Sequence, residues 1–203
     1  MRKLVRPEEP EVLKNNAQKW NQQWADLRNK DPNKKPEFEW YRTGGKSARE
    51  WILPDLRSMN QGHCCFCDAF PIADTSKEPI EHFRPKSRPE FYCLAYTWTN
   101  LFYCCDFCNS EKGETWDEKF LNPDANDYSF ERYFMFDHTT GAISPNPKAT
   151  ETDQARAQAT ITAYGLDKEP KRKYRLLAAR NWSRSDKSEI DFQSYRNFLE
   201  QSA

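Results

Sequence analysis

Seven cysteines fall at positions 64, 65, 67, 93, 104, 105 and 108, all in the middle of a 203-residue chain. An odd number of thiols behind a start, MRKLVRPEEPEV, with no apolar stretch for export fits a disulfide framework poorly. Two Cys-x2-Cys pairs can be drawn, Cys64 with Cys67 and Cys105 with Cys108. Each pair could put two thiolates on one tetrahedral ion, and four thiolates at this spacing suit a structural zinc site. Cys65, Cys93 and Cys104 are expected as small buried side chains. A one-residue slip could still recruit Cys65 or Cys104, because each pair begins with a doubled cysteine. Between Cys67 and Cys105 lie 37 residues, more than the roughly 15 to 20 of a simple zinc ribbon, so something is inserted there.

The insertion carries Ile80-Glu81-His82-Phe83-Arg84-Pro85-Lys86-Ser87 and then Tyr96-Thr97-Trp98-Thr99-Asn100-Leu101, and Asn109-Ser110-Glu111-Lys112-Gly113 follows the last paired cysteine. A neutral imidazole of ordinary pKa, near 6.5, can take a proton from water at cellular pH, and hard divalent cations prefer oxygen ligands. His82 is thus a candidate general base. In order, the pattern is Cys-x2-Cys, acidic-His-x-x-Pro, Trp-x-Asn-Leu and Cys-x2-Cys-Asn-x-x-Lys. It resembles the HNH (ββα-metal) nucleases of treble-clef type over roughly residues 62 to 113. The resemblance implies an α+β fold with a zinc-stapled ββα-metal core inside a mostly helical chain. It makes Glu81 and Asn109 ligands of a catalytic ion, His82 the general base and Asn100 the residue that holds the loop and orients it. Oxygen donors at 81 and 109 favour Mg2+ or Mn2+ at that ion, beside structural Zn2+ on Cys64, Cys67, Cys105 and Cys108. Arg84, Lys86, Arg88 and Lys112 are candidate phosphate contacts. His63 is placed near the zinc knuckle, and His138 in solvent.

Outside this stretch, Leu13, Ala17, Trp20, Trp24 and Leu27 form one apolar stripe of a helix over residues 8–29. A polar loop over 31–45 leads to a second helix in which Ala48, Trp51, Ile52 and Leu56 share a face and Pro54 threatens a kink. Residues 133–137 and 142–144 alternate around Thr140-Gly141 and read as a hairpin. Residues 151–164 and 170–200 read as helical, with a break at 181–186; the apolar positions of the second run are Leu176, Leu177, Ile190, Phe192, Tyr195, Phe198 and Leu199. The expected organisation is an N-terminal helical segment over 1–60, the zinc-stapled core over 61–125, and a hairpin with C-terminal helices over 126–203, packed with the core.

With these flanking motifs the resemblance narrows, over roughly residues 46 to 180, to the PtuB-like HNH subunits of Septu and certain retron anti-phage systems. That group implies a cytoplasmic endonuclease acting on DNA or on RNA such as a tRNA. Its expected partners are an ABC/SMC-type ATPase, PtuA-like, and in retrons a reverse transcriptase with its RNA-DNA product, with no membrane. The alternative is a noncatalytic zinc adaptor that docks nucleic acid or the ATPase. Charge bears on both readings: 31 basic residues balance 31 acidic ones, which excludes a binder driven by charge alone. Residues 51–125 carry 7 basic against 12 acidic groups, so cations at the metal positions would offset local repulsion of phosphate. The densest basic stretch, Lys168, Lys171, Arg172, Lys173 and Arg175, is expected on a solvated face or against substrate or an acidic partner.

Overall fold

The computed structural model describes residues 1–30, 34, 36–72 and 77–201; residues 31–33 and 35 of the expected polar loop lie outside these. The first long helix, α1 (Glu11–Lys30), starts directly after Pro10, with Glu11 in its first turn and Arg28 and Lys30 in its last. Leu13, Trp20 and Trp24 of the expected stripe are buried, but Leu27 is 44% exposed. Asn21 is buried instead, because Tyr96 N–H donates to its Oδ1 (2.7 Å) and its Nδ2 donates to Thr97 Oγ1 (3.1 Å). These two bonds fix α1 against the chain around residues 96–97.

Gly44 and Gly45, both at positive φ, turn a two-residue ladder of β1 (Arg42–Thr43) and β2 (Lys46–Ser47) where the sequence presents the end of a loop and the start of the second helix. Helix α2 (Ala48–Ser58) begins with a capping box between Ser47 and Glu50 and runs on through Pro54. Ala48, Ile52 and Leu56 are buried as expected, whereas Trp51 is 39% exposed. Its indole instead donates to Thr43 O (3.1 Å) beneath the Lys46 ammonium.

The middle of the chain is a pair of antiparallel strands followed by a helix. β3 (Ile80–His82) pairs with β4 (Leu101–Tyr103) in the register Ile80 to Tyr103, Glu81 to Phe102 and His82 to Leu101. The helix is α3 (Asp106–Lys112). The link between the strands folds into 3-10 turns at Pro89–Leu94 and Trp98–Asn100, and the first of these packs on α1. After a short α4 (Phe130–Tyr133), β5 (Phe134–Asp137) and β6 (Ala142–Pro145) form the expected hairpin. Gly141 closes its turn at φ +70°, where an added Cβ would sit 2.4 Å from Arg172 O.

Helices α5 (Glu151–Ala163) and α6 (Glu169–Trp182), a 3-10 turn at Lys187–Phe192 and α7 (Arg196–Glu200) complete the chain. The expected helix over 170–200 is therefore broken. Tyr195, Phe198 and Leu199 are buried after the break, but Leu177 and Phe192 are 46% and 70% exposed. α7 is pinned to the Cys64–Cys67 turn by a buried ion pair, in which Arg196 Nη2 lies 2.8 Å from Asp68 Oδ1 and Arg196 N–H donates to Asp68 Oδ2 (2.7 Å). Removing one member of a buried pair strands the other charge. Arg196→Met is therefore expected to cost roughly 3–5 kcal/mol in urea unfolding; a change below about 1 kcal/mol would show that Asp68 is solvated when unpaired.

Candidate metal cluster and adjoining cleft

The four cysteines that the x2 spacing selects do converge: the sulfurs of Cys64, Cys67, Cys105 and Cys108 lie within 4.8 Å of one another. Cys67 Sγ and Cys105 Sγ are 3.7 Å apart. Four Zn–S bonds of about 2.3 Å around a tetrahedron would separate sulfurs by about 3.8 Å. The cluster could thus hold a metal ion, and zinc suits four thiolates. Contacts with neighbouring thiols, Cys105 and Cys108 first among them, lower Cys67 to about 7. Backbone bonds set the turns: Cys65 N–H donates to Tyr103 O (3.0 Å) and Cys105 N–H to Cys64 Sγ (3.4 Å).

The remaining thiols separate by burial. Cys65 and Cys104 are fully buried, and burial pushes both thiols up, so they stay neutral. Cys104 Sγ lies 4.0 Å from Cys64 Sγ, which is why the doubled cysteines leave the ligand set open in sequence. Cys93, expected in the core, is exposed. It sits in the 3-10 turn at Pro89–Leu94, of which only Tyr92 is buried. His63 does lie beside the knuckle, fully buried, with Nδ1 3.0 Å from Asn60 O and Nε2 3.0 Å from Gln193 O. His138 is exposed.

The basic stretch of α6 divides in a way that composition hides. Lys168 pairs with Glu111 (2.5 Å), Lys173 with Glu169 (2.7 Å), and Arg172 with Asp167. Lys171 and Arg175 are 4% and 3% exposed, which corrects the expectation of a solvated or substrate-facing helix side. Burial alone would depress the Lys171 ammonium, but the thiolates of Cys67, Cys108 and Cys105 override it and raise its pKa. Arg175 donates to Gly141 O (2.6 Å), so the same helix clasps the hairpin.

Beside β3 opens a cleft of about 430 Å3, lined by Glu81, His82, Pro85, Lys86, Ser87, Asn109, Gly113 and Glu114 together with Trp24, Arg28, Pro36 and Phe38. Glu81 and His82 are neighbours on a strand, yet both line it. The His82 ring is 5% exposed; Trp40 stacks on it at 5.7 Å, and Phe38 meets it edge-on at 5.2 Å. Its Nε2 lies 2.9 Å from Ala95 O. A carbonyl can only accept, so Nε2 carries the proton and Nδ1 the lone pair. Burial, with Lys86 and Lys112 adding to it, pushes the imidazole well below its usual range, and it is neutral at cellular pH.

Glu81 is 3% exposed, and burial raises its carboxyl to about 7 although Lys112 opposes the shift. The Lys112 ammonium sits 2.5 Å from Glu81 Oε1 and donates to His82 O (2.7 Å). Beyond this ion pair, the buried Oε1 has no hydrogen-bond partner among the described residues.

Lys112 is only 1% exposed, so this ion pair removes it from the expected phosphate contacts. Arg84 opens on a separate cavity, over the Trp116 ring at 5.5 Å, and Arg88 pairs with Glu90 (2.8 Å). Of the four expected contacts, Lys86 alone lines the cleft. Asn100 clasps the loop, accepting from Arg84 N–H (2.7 Å) and donating to Arg84 O and Leu94 O (both 3.0 Å). The carbonyl next to Leu94, at Ala95, is what orients His82, so Asn100 reaches the imidazole only through that loop.

Sequence reasoning missed Trp24, Arg28, Phe38 and Glu114 because each lies outside the matched motifs, and nothing local marks them.

No family model matches the chain. Among characterised proteins it is similar to the Septu protein PtuB of Bacillus mycoides (strain KBAB4), 40% identical over 65 residues. The match covers 27% of this chain and 22% of that protein. Together with the four-cysteine cluster, this likeness fits a PtuB-like zinc-binding protein. No helix among the described residues is long and apolar enough to cross a membrane.

Removing a buried cation that the cysteine cluster stabilises should loosen an ion held there. Lys171→Met is expected to give up zinc to a chelator faster than the parent, and Lys171→Arg to retain it; equal release rates would assign Lys171 a packing role alone.

Proposed function

We propose that this chain is a metal-dependent HNH-type endonuclease that hydrolyses phosphodiester bonds of nucleic acid. The observation that carries the reading is the single cleft in which Glu81, His82, Asn109 and Lys86 meet, on a strand pair and helix stapled by the four cysteines. Such a strand–strand–helix unit supports the reading of a ββα-metal core.

The cleft suits a hard cation, because the Glu81 carboxylate and the oxygen-bearing Asn109 side chain line it together, with Lys112 paired to Glu81 Oε1. Glu81 and Asn109 would hold Mg2+ or Mn2+, which supplies charge to offset the negative charge that develops on the phosphate. His82 takes a proton from the attacking water at Nδ1, since Nε2 is committed to Ala95 O. The aromatic rings of Phe38 and Trp40 fix the imidazole plane and keep bulk water off it. Lys112 opposes the burial that raises Glu81 and ties that carboxylate to the His82 backbone, so the two side chains move as one unit.

The likeness to a Septu protein supports a role in anti-phage defence, with a PtuA-like ATPase as partner. A formal net charge of zero agrees with recruitment of nucleic acid through such a partner rather than by charge alone.

His82→Ala should keep the fold and the zinc while cleavage falls by roughly 100- to 10,000-fold, the usual contribution of a general base. The measurement is Mg2+-dependent or Mn2+-dependent cleavage of DNA and RNA, side by side, with the protein copurified with its genomic neighbours. Undiminished cleavage by the variant ends the assignment of His82. Substrate binding without any product from the parent would identify a noncatalytic adaptor.

A further inference from the structure

The cleft is not complete within the zinc-stapled stretch. One wall comes from α1 and the segment after it, through Trp24, Arg28, Pro36 and Phe38. Among the described residues, Arg28 is the only cation on that wall. Its Nη2 donates to Ser87 O and to Tyr92 OH, both at 3.1 Å, and its guanidinium lies 5.0 Å from the Tyr92 ring and 5.6 Å from the Trp24 ring. These contacts hold the planar fork in place. None of them neutralises it: among the described residues Arg28 makes no ion pair, and its Nε is buried without a hydrogen-bond partner.

Lys86 approaches from the loop after β3, with its ammonium 4.9 Å from the Phe38 ring centroid, and it too makes no ion pair among the described residues. The carboxylates that line the cleft are Glu81, engaged by Lys112, and Glu114. A fold that immobilises a guanidinium while leaving a buried N–H unsatisfied bears a desolvation cost that an arriving anion would remove. A guanidinium fork matches the paired oxygens of a phosphate.

We propose that Arg28 is a phosphate-positioning residue: together with Lys86 it holds a backbone phosphate of the substrate strand, next to the one presented to His82. The inference rests on the nuclease reading. It makes the N-terminal helix part of the substrate site and gives the cleft a footprint of more than one phosphate. The recognised chemistry is the phosphodiester backbone, which DNA and RNA share.

The test uses the cleavage-silent His82→Ala protein and fluorescein-labelled single-stranded DNA and RNA oligonucleotides of one sequence, followed by anisotropy across a salt series. Arg28→Met in that background should weaken binding and reduce the slope of log K against log salt by about 0.7, the share of one phosphate contact on a single strand. Arg28→Lys keeps the charge and should keep most of the slope. With His82 intact, Arg28→Met should raise KM with little change in kcat. Unchanged affinity and slope in Arg28→Met, with zinc content and melting temperature preserved, overturns the proposal and leaves the nuclease reading standing. No binding by the parent together with no cleavage by the wild-type chain overturns both. An effect with one sugar type only would name the source of the phosphate.

Discussion

Convergence of four sulfurs within 4.8 Å is the constraint on which the rest of this structure depends. The turns at Cys64–Cys67 and Cys105–Cys108 are far apart in sequence, and the strands between them are only three residues long. A two-stranded ladder of that length is marginal by itself. An ion held by the four sulfurs would close the intervening loop and make the pairing of β3 with β4 inexpensive, because metal affinity appears as folding free energy. Around the thiolates the chain gathers compensating groups. Lys171 and Arg175 from α6 supply positive charge, and the Asp68–Arg196 pair ties α7 to the first turn.

The cleft beside the strand pair follows from the same staple. Fixing β3 against α3 brings Glu81, His82 and Asn109 to one opening and puts Lys112 between the carboxylate and the strand backbone. Burial then does the electrostatic tuning. It raises Glu81 to about 7 and depresses His82, which leaves a neutral imidazole with its lone pair at Nδ1 and a carboxylate that gains from any cation beside it.

Much of this site was legible in the chain because its signals are local. The x2 spacing picks out the correct cysteines even where doubled residues offer a slip, and the motifs around Glu81-His82, Asn100 and Asn109 name residues that the fold brings into two adjoining places. The signals fail where burial depends on partners distant in sequence. Lys112 reads as a surface cation but is sealed against Glu81. Lys171 and Arg175 read as a basic face, yet they turn inward because a cluster of thiolates lies there. Cys93, Trp51 and Leu27 read as core and are exposed, since the helices and turns that carry them present other residues, Asn21 among them, to the interior.

The sequence by itself marked the two Cys-x2-Cys pairs, from which the fold gathers Cys64, Cys67, Cys105 and Cys108, and set Glu81 beside His82, because each is a matter of spacing within a few residues. Only the tertiary structure decided which cations are buried and what faces the cleft. Those choices rest on contacts across the chain, such as Arg28 with Tyr92 and Asn21 with Tyr96. Desolvation and pairing, which set the charge and reach of a side chain, are properties of the packed surroundings and not of the residue type.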